Sequence, residues 1–368
     1  MKIGILTFHE VFNPGAFLQA YATQKMLSEA GHDVQIINYN PPRHRYHPIK
    51  HLLRLHLRFP FCLSYWNQCR KSDATYKLAR QKHFKLTRFF ERREALQEER
   101  FDLVVVGADI VWNYQMKRLG CDPVYFGACV NTRRLIAFAP SAGSCSPAGE
   151  IPDYVSQNLP NFNAISVRDA NTAELVKKAI GAEVPVLCDP TFHLKGFVRS
   201  HATPRQPQRD ERILVYLLHG LASPELIRQV RALSAQTGLP IHAVLYGYSW
   251  ADENIMDLDP FEWIEAIRHA RYFVTNTFHG TVFSLLTAAN VVVELNDAIF
   301  NKTHALLEGV SFGGRLFVAD SQLAELFSNQ LPTDRVDAYL NQEAKRSEAY
   351  LMDQLEQAEL DCGERRLS

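Results

Sequence analysis

Residues 273–286 carry the densest chemistry of the chain: Phe273-Val274-Thr275-Asn276-Thr277-Phe278-His279-Gly280-Thr281-Val282-Phe283-Ser284-Leu285-Leu286. An apolar strand ending (Tyr272 to Val274) breaks at Thr275-Asn276-Thr277, passes His279-Gly280-Thr281 and resumes as a helix-like apolar run from Val282 to Ala289. A strand that restarts as a helix places its turn at the carboxyl edge of a parallel sheet, where ligands of open α/β folds bind. Gly280 admits close backbone approach, and the N–H groups of a helix's first turn suit a phosphate. His279 supplies the side chain whose proton moves most easily near neutral pH. The alternative is a helix cap beside a buried, satisfied histidine.

The elements that must position this turn read as two rounds of α/β. Strands are expected at 2–7, 34–39, 103–106, 135–139, 164–167 and 184–187, with helices at 16–30 and 170–180; the first strand, helix and second strand make a βαβ unit, the signature of a parallel sheet. The Pro-, Gln- and Arg-rich stretch 203–212 is the best linker. Beyond it, strands are expected at 212–217, 241–246, 272–275, 291–293 and 316–318, helices at 224–236 and 260–270, and a charged helix at 333–360. The expected architecture is α/β: two Rossmann-like, doubly wound domains facing a cleft, 1–202 and 203–332, with 333–368 packing back on the first.

Composition agrees with this plan. A chain of 368 residues, 46% hydrophobic and 22% charged, is globular and too long for one ordinary core. Lys+Arg and Asp+Glu each total 40, so overall charge points to neither nucleic acid nor membrane. The cysteines (Cys62, Cys69, Cys121, Cys129, Cys145, Cys188, Cys362) form no Cys-x-x-Cys pair and no metal-ligand spacing; their odd number fits reduced thiols in a cytoplasmic protein. The start, Met1-Lys2-Ile3-Gly4-Ile5-Leu6, enters a strand at once without the features of a signal peptide, and no segment reaches transmembrane length. The segment 41–93 stands apart: fourteen Lys and Arg face only Asp73 and Glu91, with Leu52, Leu53, Phe59, Phe61, Tyr65 and Trp66 interleaved. Such a stretch either touches an anionic membrane surface, receiving a lipid-linked substrate, or forms a solvated helical face packed over the first domain. No nucleic-acid motif accompanies its charge.

With these pieces placed, the chain resembles the polysaccharide pyruvyl transferase family over roughly residues 2–40 and 100–317. The resemblance rests on Lys2 to Thr7; Asn13-Pro14-Gly15-Ala16-Phe17-Leu18-Gln19-Ala20; Gly107-Ala108-Asp109-Ile110-Val111-Trp112-Asn113; Ser166-Val167-Arg168-Asp169; Asp189-Pro190-Thr191; and Thr275 to Thr281. It implies a GT-B-like pair of domains and transfer of pyruvate from phosphoenolpyruvate onto two hydroxyls of a cell-surface saccharide or its lipid-linked precursor as a cyclic ketal, with no cofactor. Ala108 and Ile110 stand where the family often has Ser and Gln. Thr277 stands where members with a demonstrated phosphoenolpyruvate site tend to carry Arg, leaving Lys302 or Arg315 to supply positive charge.

Ketal formation needs a proton donor, a base for the hydroxyls and positive potential around the phosphate and carboxylate. His279 and Asp109 are the expected catalytic groups, and Thr275, Asn276, Thr277, Gly280, Thr281, Lys302 and Arg315 the donor-binding ones. Asn13, Gly15, Gln19, Trp112, Asn113 and Arg168 are expected on the acceptor side, Trp112 either stacking on a sugar or lying in the core. Arg168-Asp169 reads more readily as a structural ion pair, and Asp189 as structural. Two rivals remain: a GT-B-type glycosyltransferase using a nucleotide sugar, with Glu294 or Glu308 as ribose ligand, and a catalytically degenerate member with a binding role.

Overall fold

The computed structural model describes residues 1–44, 62–202, 211–297 and 299–364; residues 45–61 of the basic segment and 203–210 of the linker stretch lie outside the described residues. Strands β1 (Lys2–Leu6), β2 (Asp33–Ile36), β3 (Phe101–Val106), β4 (Thr132–Ala137) and β5 (Ala164–Ile165) form a parallel sheet in the order β2-β1-β3-β4-β5. Strands β6 (Ile213–Tyr216), β7 (Ile241–Val244), β8 (Glu253–Ile255), β9 (Tyr272–Thr275), β10 (Val291–Glu294) and β11 (Leu316–Phe317) form a second, also parallel, in the order β11-β10-β9-β6-β7-β8. The helices are α1 (Pro14–Glu29), α2 (Cys62–His83), α3 (Asp153–Asn158), α4 (Ala170–Ile180), α5 (Lys195–Ser200), α6 (Pro224–Thr237), α7 (Pro260–Arg268), α8 (Phe278–Thr287), α9 (Phe300–Gly309), α10 (Leu323–Ser328) and α11 (Thr333–Glu364).

Both sheets are covered on both faces, which is why Val104-Val105-Val106 and Ile213-Leu214-Val215 are apolar without alternation and wholly buried. Local chemistry sets the helix ends. Asp169 caps α4 and Gly181 ends it in the left-handed conformation; Asp259 and Glu262 close a capping box on α7. Each strand order reverses once. The first sheet reverses between β1 and β3, the second between β6 and β9, so a crevice opens at the carboxyl end of each pair. Thr7 and Gly107-Ala108-Asp109 border the first crevice, Leu217-Leu218 and Thr275-Asn276-Thr277 the second.

The halves share a continuous apolar cluster that joins Phe17 and Leu18 of α1 to Trp263 of α7 and Phe283 of α8. At its edge the Phe261 ring meets Phe17 and Tyr21 edge-on at 6.2 and 5.4 Å. Helix α11 buries Val336, Leu340, Leu351, Leu355 and Ala358. Gln354 and Asp361 of α11 accept from Arg134 of β4, and Asp337 takes Arg199 of α5 bidentately at 2.7 Å. On α2, Ser72, Tyr76, Ala79 and Arg80 are buried while Lys71, Lys77 and Lys82 are exposed, so this part of the basic segment is a helix laid on the protein with its lysines outward and Arg80 turned inward.

Three expectations are corrected. Residues 184–187 make no strand, only a single parallel bridge from Val167 to Val186, because Pro185 has no N–H for a ladder. Helix α8 starts at Phe278 rather than Val282, since Thr277 already caps it. Strand β8 and helices α3, α5, α9 and α10 were not foreseen, whereas α2 is the helical face that was one of the two readings of the basic segment; β8 is a short polar edge, and the unforeseen helices α3, α5 and α10 span only six residues each.

Candidate active site

Thr277 accepts from the Gly280 N–H at 3.0 Å and thereby fixes the start of α8. The Thr275 hydroxyl donates to the Tyr216 carbonyl at 2.8 Å, tying β9 to β6 across the crevice, and lies 2.9 Å from the Thr277 hydroxyl. Asn276 accepts from the Leu218 N–H at 2.7 Å and Thr281 donates back to the Thr277 carbonyl at 2.9 Å. The threonine hydroxyls, the Asn276 Oδ1 and the Gly280 N–H are thus spent on building the turn, while Nδ2 of Asn276 is buried without a partner among the described residues. Phe278 and His279, at the first two helical positions, are the residues whose N–H groups precede the first intrahelical bond.

His279 lies where the two halves touch. A Cβ on Gly15 would sit 2.1 Å from both Cγ and Nδ1 of His279, so the ring packs directly on the first turn of α1. Asn13 caps that turn, accepting from the Gly15 and Ala16 N–H groups at 2.9 and 3.1 Å. Behind the ring, Nε2 of His279 is 3.6 Å from Oδ2 of Asp189. The same oxygen accepts from Nη1 of Arg168 at 2.6 Å, while Oδ1 accepts from the Thr191 N–H and hydroxyl at 3.0 and 2.7 Å. Arg168 also lies over the Phe278 ring at 4.8 Å. Burial would raise the Asp189 carboxyl, but the adjacent His279 ring, the charge of Arg168 and the Thr191 N–H together hold it well below the usual carboxylate range.

Lys302, half-buried in the first turn of α9, completes the positive side. Burial and then the charge of Arg168 pull its ammonium down to about 8, against the pull of Asp109, Asp169 and Asp189. The adjoining Asn301 donates to the Gly143 carbonyl at 3.3 Å, joining α9 to the first half. Asp109 has φ 53°, a left-handed conformation that Asp tolerates better than most residues, and accepts from the Ile110 N–H at 2.8 Å.

Several expected site residues have other duties. Trp112 is fully buried, stacks on Phe126 and donates to the Tyr125 carbonyl at 2.8 Å, so no sugar can lie on it. Arg315 precedes β11 at the amino edge of the second sheet and is consumed by Asn290, Val291 and Asn329, a full strand length from the turn. Gln19, wholly buried, donates to Thr7 at 2.9 Å and accepts from the Ala108 N–H at 3.0 Å, stitching the first crevice. Asn113 accepts from Gln115 N–H and Cys145 Sγ. Arg168 pairs with Asp189 instead of Asp169, which caps α4 and accepts from Ser141 at 2.6 Å. Glu294 uses both oxygens, each at 3.2 Å, to hold the Ser223 N–H at the head of α6; it lines a pocket of about 380 Å³ with Leu295, Phe317 and Val318. Glu308 is exposed and faces His304. Asp189 is the residue sequence reading undervalued; Asp-Pro-Thr is a turn signature, and nothing local shows that Arg168 and His279 converge on it.

Two Rossmann-like halves whose carboxyl edges meet at a seam lined by His279, Arg168 and Lys302 make a GT-B-like fold. The chain belongs to the polysaccharide pyruvyl transferase family, whose family model matches residues 13–297. Membership implies a saccharide acceptor. No curated protein matches the sequence. Among solved structures, the chain is similar to the UDP-GlcNAc 2-epimerase of Neisseria meningitidis bound to UDP-GlcNAc, with TM-score 0.50 and 9% identity over 97% of this chain and 100% of that one. It is also similar to the UDP-GlcNAc 2-epimerase of Methanocaldococcus jannaschii (TM-score 0.45, 11% identity, 91% and 94% covered). A third is the E. coli heptosyltransferase WaaC with ADP (TM-score 0.38, 13% identity, 94% and 100% covered). At these identities the likeness is one of fold. Among the described residues no helix is long and apolar enough to cross a membrane, and no cluster of His, Cys, Asp and Glu could hold a metal ion.

Proposed function

We propose that the chain transfers pyruvate from phosphoenolpyruvate onto two hydroxyls of a saccharide or its lipid-linked precursor. The observation that carries this reading is the seam itself: His279 of the second half pressed on Gly15 of the first, with Arg168 and Lys302 beside it. In this reaction His279 protonates the terminal carbon of the enol ether, and a sugar hydroxyl adds to the oxocarbenium-like centre. The phosphate leaves as its C–O bond breaks, and the second hydroxyl closes the ketal. Lys302 and Arg168 supply the positive charge that Thr277 does not, and Asp109, at the opposite strand end, is the base for the hydroxyls. A nucleotide-sugar donor would call on Glu294, whose carboxylate is engaged at the head of α6. The outward lysines of α2, Lys71, Lys77 and Lys82, offer a surface for a membrane-held acceptor.

Thermal unfolding with phosphoenolpyruvate beside UDP-, GDP- and CMP-sugars, in wild type and His279→Ala, tests the donor. A ligand at about a hundred times its dissociation constant adds roughly 2.7 kcal/mol. Stabilisation by phosphoenolpyruvate that is lost in the variant is expected. A response to a nucleotide sugar alone overturns the reading.

A further inference from the structure

The geometry points to Asp189 as the positioning residue of His279: its carboxylate fixes a proton on Nε2, so that Nδ1, on the Gly15 side, is the nitrogen that gains a proton and gives it to substrate. The chemical consequence rests on the proposed pyruvyl transfer; the tautomer itself does not.

Nε2 of His279 is buried, has no hydrogen-bond partner within 3.5 Å, and looks at Oδ2 of Asp189 from 3.6 Å. Asp189 is wholly buried, so its charge is little screened, and it is held in place on three sides by Arg168 Nη1 and the N–H and hydroxyl of Thr191. A lone pair on Nε2 would face that carboxylate and be repelled, whereas an N–H is attracted and completes the fourth donor around it. Hydrogen bonds of this type are long before substrate binds and shorten in the productive complex. The titratable groups facing the pair from neighbouring elements are Arg168, His193 and Lys302, with Asp109 and Asp169 acting on Lys302 in turn. Burial drives His193 down to about 4, so it is neutral beside Asp189. Asp189 therefore acts through the ring it orients, as a carboxylate does behind a catalytic histidine in general, and fixes which nitrogen works.

The test needs no substrate. Protein labelled with ¹⁵N at its 14 histidines gives ring nitrogen–proton correlation patterns that distinguish the two neutral tautomers; His279→Gln identifies the His279 signals by their loss. In wild type at pH 8 the pattern expected is the Nε2–H form. Because Asp189 alone cannot be removed without stranding Arg168, the second protein is Asp189→Leu combined with Arg168→Met, two apolar groups for a buried pair. Its His279 should redistribute toward Nδ1–H while the remaining histidine signals keep their positions. An Nδ1–H pattern in wild type, or an unchanged Nε2–H pattern in the double variant, overturns the assignment. Donor-dependent phosphate release, measured separately, reports on pyruvyl transfer and leaves the tautomer result standing whichever way it falls.

Discussion

Replacing Gly15 by alanine should separate the seam from the rest of the fold. The added Cβ would lie 2.1 Å from Cγ and Nδ1 of His279, well over an ångström inside ordinary contact, and 2.6 Å from its Cβ. The ring has Phe278 on one side, at 5.0 Å between centroids, and Asp189 behind it, so it must leave its rotamer or push α1 away. Overpacking of this kind costs roughly 1–3 kcal/mol. Against it stands the gain of alanine over glycine in a helix, at most about 1 kcal/mol near an end. The single variant should therefore lose between about 0 and 3 kcal/mol. In a His279→Ala background the obstacle is gone, and the same change should stabilise by up to about 1 kcal/mol. Urea denaturation of wild type, the two single variants and the double variant reads the difference as a coupling of roughly 1–3 kcal/mol. If Gly15→Ala has the same effect in both backgrounds, within about 0.5 kcal/mol, the two halves do not meet at His279 and the site described above is wrong.

Breaking the Arg168–Asp189 pair from one side, as in Arg168→Met, should cost about 3–5 kcal/mol in urea denaturation, because both side chains are almost completely buried and a lone charge remains; replacing both by apolar residues should cost far less. Inorganic phosphate should bind more weakly as pH rises through about 8, where Lys302 loses its proton, and Lys302→Met should flatten that dependence in calorimetry. The sign for stability is opposite. Between about 8 and the unfolded value of 10.5 the unfolded chain holds the proton more firmly, so this group's contribution to stability rises with pH over that window and is constant, at its lowest, below it. Arg315→Met should lower stability by about 1.5–3 kcal/mol, since it strips a buried cation from two backbone carbonyls and Asn290, yet leave phosphate affinity unchanged.

Much of the fold is legible along the chain because it is written in short-range chemistry. Val104-Val105-Val106 announces a strand covered on both faces; Asp169 with Gly181, and Ser223 with Gly238, bracket α4 and α6 by caps that act within a few residues. The turn at Thr275 to Thr281 was recognisable for the same reason, as a strand end followed by a helix cap. The missed elements lack such signals: α9 begins without a side-chain cap, and Pro185 turned an apparent strand into a single bridge.

Residue type and spacing alone determined that His279 stands at a sheet's carboxyl edge and that two α/β halves would frame it. Only the tertiary structure decided what surrounds the ring. Asp189 and His279 are ninety residues apart in the chain, and their pairing depends on how the halves dock, as does the contact with Gly15. The same long-range packing buried Trp112 in the core and sent Arg315 to the far edge, because a side chain's surroundings are fixed by elements that no local pattern specifies. Lys302 came beside Arg168 and Asp189 for that reason: α9 is carried to the first half by its packing, and with it a charge that the motif itself lacks.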